Sequence, residues 1–173
     1  MHGEPRADRP YMPDYGVLDE HSGDGLLPWS WAVEHLAQSK NYWFATSHPD
    51  GRPHLMAVWA VWLNDRLCFS TGRRSRKARN LAENPRCSVS TERADEPVIM
   101  EGIAERITEP DFLKQYADAI SAKYKWDTQP TTEGVKDEFG NEGPVFAVRP
   151  QRAFGFGEDL PGSATRWIFG DEG

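Results

Sequence analysis

Apolar and polar positions change their period several times along the chain. Through residues 1–27 no period is visible, and Pro, Gly, Asp and Glu dominate, so this segment reads as a tail that is disordered or lies across a partner. From Ser30 to Ser39 apolar residues recur at helical spacing, at Ala32, Val33, Leu36 and Ala37. The period then falls to two. Residues 41–47 read as a strand, and Asp50-Gly51 marks a hairpin turn. Residues 53–63, PHLMAVWAVWL, read as one long strand, apolar on both faces and therefore central and covered on both sides. Asn64-Asp65 turns the chain into a returning strand at 66–71.

A helix follows, with Ser75 as its N-cap and Asn84-Pro85 as its stop. Strands are expected at 86–92 and 97–107. In the second, Ile99, Glu101, Ile103, Glu105 and Ile107 share a face that meets both core and solvent. Thr108-Glu109-Pro110-Asp111 resembles a capping box, and Leu113, Ala117, Ile120 and Tyr124 carry a helix to about Lys125. Residues 127–143 read as a polar loop or flap. Strands at 144–150 and 152–157 are separated by a kink at Pro150, and 164–169 is a last short strand. About seven strands, mostly joined by hairpins, with three helices, predict a mainly β fold: an antiparallel barrel with helices outside it. The division expected is a tail, 1–27, and one domain, 28–173.

Charge sharpens the picture. The chain has 20 Lys and Arg against 27 Asp and Glu, a net charge of −7, which argues against a nucleic-acid binder. Yet Arg73, Arg74, Arg76 and Lys77 crowd the start of the helix after Gly72, where the helix dipole disfavours cations. Amide N–H groups, the dipole and several cations in one place make an anion site, and phosphate is the natural guest. RNA bound through the same run is a weaker reading, because no second basic stretch supports it. Cys68 and Cys87 have no metal spacing and read as buried free thiols. Among the histidines, His48 and His54 lack the paired spacing of a zinc site. Ser47 and Thr46 lack a visible His/Asp partner for hydrolysis. Gly155-Phe156-Gly157 lacks the helix and downstream acid of a dinucleotide fingerprint. No apolar run approaches a membrane span and the N-terminus is not a secretory signal, so the expected location is cytoplasmic.

The order of parts resembles the pyridoxamine 5'-phosphate oxidase-like split-barrel family, in its flavin- or deazaflavin-dependent oxidoreductase branch. The resemblance rests on Phe69-Ser70-Thr71 closing a strand, Ser75-Arg76-Lys77-Ala78 opening a helix, and Ala82-Glu83-Asn84-Pro85-Arg86 entering a strand. It covers 29–108 well and 144–169 more loosely. It implies a six-stranded antiparallel split barrel, a homodimer with cofactor sites at the interface, and FMN or F420 along the long strand. The phosphate would rest on Ser75, Arg76 and Lys77, with Arg73 beside them. Met56, Ala57, Val58, Trp59, Ser70 and Thr71 would line the ring and its chain, and Phe156, Arg166 and Trp167 would close the site near the C-terminus.

The departures narrow the branch. Where true oxidases of the family carry a phosphate-binding arginine and lysine on the long strand, this chain has Met56 and Val61. Where they carry a substrate-binding arginine and histidine, it has Gly162 and Ala164. The resemblance therefore implies an oxidoreductase that moves hydride to or from a small organic molecule but does not oxidise vitamin B6. F420 is preferred over FMN, since its glutamate tail suits the extra Arg73 and Arg74. The alternative is a protein that binds flavin, F420 or haem for storage or sensing. No catalytic side chain and no metal ligand is implied.

Overall fold

The computed structural model describes residues 4–19 and 21–170. The elements run β1 (Arg6–Asp8), α1 (Trp29–Gln38), β2 (Tyr42–Ser47), β3 (Pro53–Val58), β4 (Val61–Leu63), β5 (Arg66–Ser70), α2 (Arg76–Glu83), β6 (Arg86–Thr91), β7 (Val98–Ile107) and α3 (Pro110–Tyr124). They continue with β8 (Thr128–Pro130), β9 (Val135–Asp137), β10 (Glu142–Gly143), β11 (Val145–Gly155), α4 (Leu160–Ser163) and β12 (Thr165–Ile168).

Every strand pair is antiparallel. In the main sheet β3 pairs β2, then come β6, β7 and β11; β11 also pairs β5, and β5 pairs β4. Because β3 and β4 are the two halves of the 53–63 run, the ring of pairings closes through the chain itself. This is the split barrel. β11 is the long shared strand: Val145–Val148 pair β5, Arg152–Gly155 pair β12, and β7 runs along its other edge. Pro150 does not divide it as expected. Its missing N–H is accommodated by a register shift between Pro150 and Arg152, opposite Gly102. A Cβ at Gly102 would collide with the carbonyl oxygen of Arg149, so only glycine lets the two strands approach there.

Two apolar layers sandwich β5 and the first half of β11. Leu67, Phe69, Phe146 and Val148 point into the barrel, with Tyr42, Phe44, Val89 and Met100. Cys68, Val145 and Ala147 point the other way, under Leu113, Tyr116, Ala117 and Ile120 of α3. The strand covered on both faces is thus β5, not 53–63. Among the described residues β3 pairs only with β2, and it leaves Leu55 56% and Met56 48% exposed. Its two-sided apolarity marks a face the chain does not itself cover.

The run 53–63 also breaks at Trp59-Ala60. The backbone groups freed there find partners on α3: Ala60 N–H donates to the Tyr124 hydroxyl, and the Ala60 carbonyl accepts from Lys123 Nζ at 2.9 Å and from the Tyr124 hydroxyl at 3.0 Å. α3 itself starts without the expected capping box. Glu109 is its N-cap without a side-chain cap bond, and the Glu109 carboxylate instead accepts from the Thr108 N–H. Segment 127–143, expected to be a loop, is the three-stranded sheet β10-β9-β8. Its strands are too short to show a period.

Residues 6–9, within the stretch read as a tail, are tied down. β1 pairs β12. Arg9, 2% exposed, donates to the carbonyls of Ser22, Asp24, Gly162 and Ala164. Both cysteines are buried and free, and burial pushes each thiol pKa up to about 12. Among the described residues no helix is long and apolar enough to cross a membrane, and no cluster of three or more His, Cys, Asp or Glu could hold a metal.

Candidate functional site

A cleft of about 450 Å³ opens where the ends of β3 and β5, the start of α2, α3 and the small sheet meet. Local sequence builds its basic end. β5 stops at Ser70, and the chain turns through Thr71 and Gly72, with Ser75 N–H donating to the Gly72 carbonyl at 2.9 Å. Ser75 then caps α2. Its Oγ accepts from Ala78 N–H at 3.1 Å and lies 3.0 Å from Thr71 Oγ1. The cap fixes the first turn, and the first turn places Lys77 in the cleft wall.

The four cations differ in where they point. Lys77 lines the cleft and is half-buried, and burial pushes its ammonium pKa below the ordinary lysine value. Arg76 is half-buried beside His54, whose pKa is lowered by burial first and then by Lys77, His48 and Arg76. Arg73 reaches the opposite side of α2, into a second cavity of about 340 Å³ with Leu81, Phe146 and an Arg106 that is paired to Glu133. Arg74 is exposed. Among the described residues no ion pair involves any of the four, whereas Arg6, Arg52, Arg66, Arg93, Arg106, Arg149 and Arg166 each have a carboxylate partner.

The far wall is aromatic. Trp59 stacks on Tyr124 with centroids 4.6 Å apart and planes 11° apart, and Trp126 meets Trp59 edge-on at 5.8 Å. Two acids on the rim are already committed. The Asp137 carboxylate accepts from the backbone N–H groups of Phe139 and Asn141 and from the Asn141 side chain, which holds its pKa low, and Glu142 accepts from Thr131.

Of the residues expected at the site, the cleft brings together Ala57, Val58, Trp59, Ser70, Thr71 and Lys77. Ser75 serves as the cap beneath them. Met56 lies exposed on β3 outside the cleft. Phe156, Arg166 and Trp167 lie at the other end of the barrel. Trp167 is fully buried against Trp29, at 5.3 Å, and has no surface to offer a ring, because strand alternation turns it inward. Arg166 makes a two-pronged ion pair with Asp8, at 2.7 and 2.9 Å. Val61, where the family resemblance would set a phosphate-binding cation, is buried under α3. Sequence reasoning missed Trp126 and Tyr116. A tryptophan in a polar stretch was a usable signal for the first; Tyr116 looks like any core position of an amphipathic helix.

Comparison with known proteins agrees with this architecture. A family model described as pyridoxamine 5'-phosphate oxidase matches residues 32–149. A conserved hypothetical protein of Mycobacterium tuberculosis is 25% identical, with a TM-score of 0.66, over 82% of this chain and 92% of that one. A structure described as an F420 reductase is 23% identical, with a TM-score of 0.53, over 69% of this chain and 93% of its own. An FMN-binding, pyridoxamine 5'-phosphate oxidase-related protein of Nostoc punctiforme is 19% identical, with a TM-score of 0.57, over 84% and 93%. No curated protein matches the chain. On the extent of the family match, over residues 32–149, the chain belongs to the pyridoxamine 5'-phosphate oxidase-like split-barrel family.

Proposed function

We propose that this chain binds a phosphate-bearing redox cofactor, F420 or FMN, in the cleft, and uses it to move hydride to or from a small organic molecule. One observation carries the proposal. Lys77 is a half-buried ammonium at the positive end of a capped helix, with no carboxylate partner among the described residues, in a chain where acids outnumber bases. Burying a cation beside a helix N-terminus is unfavourable unless an anion arrives. The cleft beyond it holds about 450 Å³ and is walled by Trp59 and Trp126, which suits a planar ring.

Lys77 and Arg76 would hold the phosphate, and the end of β3 with Ser70 and Thr71 would line the ring. The bound group supplies the hydride chemistry; the protein supplies position, charge and exclusion of water. Positions 56 and 61 carry no cation and Val61 is buried, so the anion is held from the α2 side alone. The expected preference for F420 over FMN rested on Arg73 and Arg74, but Arg73 turns to the opposite side of α2 and Arg74 is exposed, so the cleft itself favours neither cofactor. Such a protein would work as a homodimer, the uncovered face of β3 meeting a second copy.

Titrating the purified chain with F420 and with FMN tests the reading. Lys77→Ala and Arg76→Ala should each weaken the preferred cofactor by ~1–3 kcal/mol, the range for hydrogen bonds to charged groups. Dissociation constants equal to wild type would remove both residues from the site. A storage or sensing role is the second reading. It is favoured by the rim acids, Asp137 and Glu142, being committed to their own loops. Turnover of a reporter acceptor by the reduced, loaded protein separates the two.

A further inference from the structure

The floor of the cleft contains a buried hydroxyl with no partner. Tyr116 of α3 is fully buried and lies among the residues of the cleft, yet among the described residues its hydroxyl has no hydrogen-bond partner within normal geometry. An unpaired buried hydroxyl is costly, and one placed at a binding cleft calls for an explanation. The group facing it is Ser70. On β5 the alternation sends Leu67 and Phe69 into the barrel and Cys68 toward α3, so Ser70 also faces α3. Ser70 lines the cleft and is only partly buried. The Tyr116 phenol feels the Ser70 hydroxyl and backbone, while burial raises its pKa and keeps it protonated.

We infer that Tyr116 is a positioning residue for Ser70. The Tyr116 O–H donates to Ser70 Oγ when a ligand occupies the cleft, and this turns the Ser70 proton outward to a carbonyl oxygen or ring nitrogen of a planar heteroaromatic ligand. The phenol cannot do this directly, because it lies behind the cleft surface. A serine alone could point its proton either way. With a protonated phenol behind it, only the outward direction completes both hydrogen bonds. The ligand class is therefore one with an acceptor atom on the ring edge, and the inference rests on the cofactor reading above.

The test uses Tyr116→Phe, Ser70→Ala and the double variant, each titrated with F420 and FMN. In the ligand-free protein, Tyr116→Phe should melt at or above the wild-type temperature, since it removes only an unpaired hydroxyl. For the loaded protein, both single variants should weaken binding by a similar factor, ~3–10-fold, and shift the long-wavelength absorption band of the bound chromophore in the same direction. The double variant should be no weaker than Ser70→Ala alone, because the two residues act as a unit. Effects that multiply would overturn the inference, as would a Tyr116→Phe protein with wild-type affinity and spectrum, or one that melts well below wild type without ligand. If wild type binds neither chromophore, the cofactor reading falls and takes this inference with it. If wild type binds and Tyr116→Phe is indistinguishable from it, only this inference falls.

Discussion

Lys123 makes stability depend on pH in a direction opposite to that of the buried thiols. Its Nζ donates to the Tyr42 hydroxyl and to the Ala60 carbonyl, both at 2.9 Å, and lies 5.0 and 5.4 Å from the Tyr42 and Tyr124 ring centroids. Burial is the main cause that lowers its pKa from 10.5 to about 8; Glu92 acts weakly in the other direction. Between these values the unfolded chain holds a proton that the folded chain has released, so the group's contribution to stability rises as pH rises through that window. The full span would correspond to ~3 kcal/mol, and solvent screening of a half-exposed ammonium reduces it to about 1 kcal/mol. Cys68 and Cys87, raised by burial from 9 to about 12, work the other way, and so do Tyr42, Tyr116 and Tyr124. Comparing wild type with Lys123→Met at each pH cancels these terms. Urea unfolding from about pH 7 to about pH 10 should show wild type gaining about 1 kcal/mol on the variant as pH rises. Parallel curves over that range would refute the account of Lys123.

Two further outcomes follow from the packing. Arg9→Met removes four bonds to carbonyls, of which those at Gly162 and Ala164 are buried, and should cost ~2–4 kcal/mol; an unfolding free energy from urea titration within ~1 kcal/mol of wild type, at unchanged slope, would show that the N-terminal segment is not held by this residue. Gly102→Ala drives a Cβ into the Arg149 carbonyl at the β11 bulge and should cost ~1–3 kcal/mol, read by thermal melting, where an unchanged midpoint would mean that the bulge yields freely.

What the sequence made legible was what is settled locally. The Asp50-Gly51 hairpin, the Ser75 cap and the Asn64-Asp65 turn each depend on a few adjacent residues, and all three form. Lys77 follows from the cap, because the first turn of a helix has one geometry. The break at Trp59-Ala60 was not legible, since the groups that satisfy it, Lys123 and Tyr124, lie sixty residues away on another element. Arg9 was hidden for the same reason: its partners are carbonyls, which carry no side-chain signature. The 53–63 run misled because apolarity on two faces suggests burial on both, whereas β3 is an edge strand that leaves Leu55 and Met56 half exposed. Trp167 and Phe156 had chemistry suited to a ring, but only the three-dimensional path shows them at the far end of the barrel from Lys77.

That separation ties the site to the uncovered face. Trp43, Leu55 and Ala57 project from the same side of the β2–β3 hairpin, in register, and Trp43 and Leu55 are about half exposed. The cleft begins where this hairpin ends, at Ala57–Trp59. A large apolar patch beside a cleft leaves a bound ring wet on one side, and water weakens every electrostatic contact that would hold the ring in place. A second copy laid on β3 would remove both costs together: it would cover the leucine and tryptophan, and it would bring another surface to the open side of the cleft. Within one chain Phe156 and Arg166 are out of reach of Lys77, so any role for them in holding a ring requires that second copy. The arrangement of charge agrees. Lys77 lines the cleft at the helical end, from this chain alone, while Trp59 and Trp126 lie toward the hairpin face that a second copy would cover.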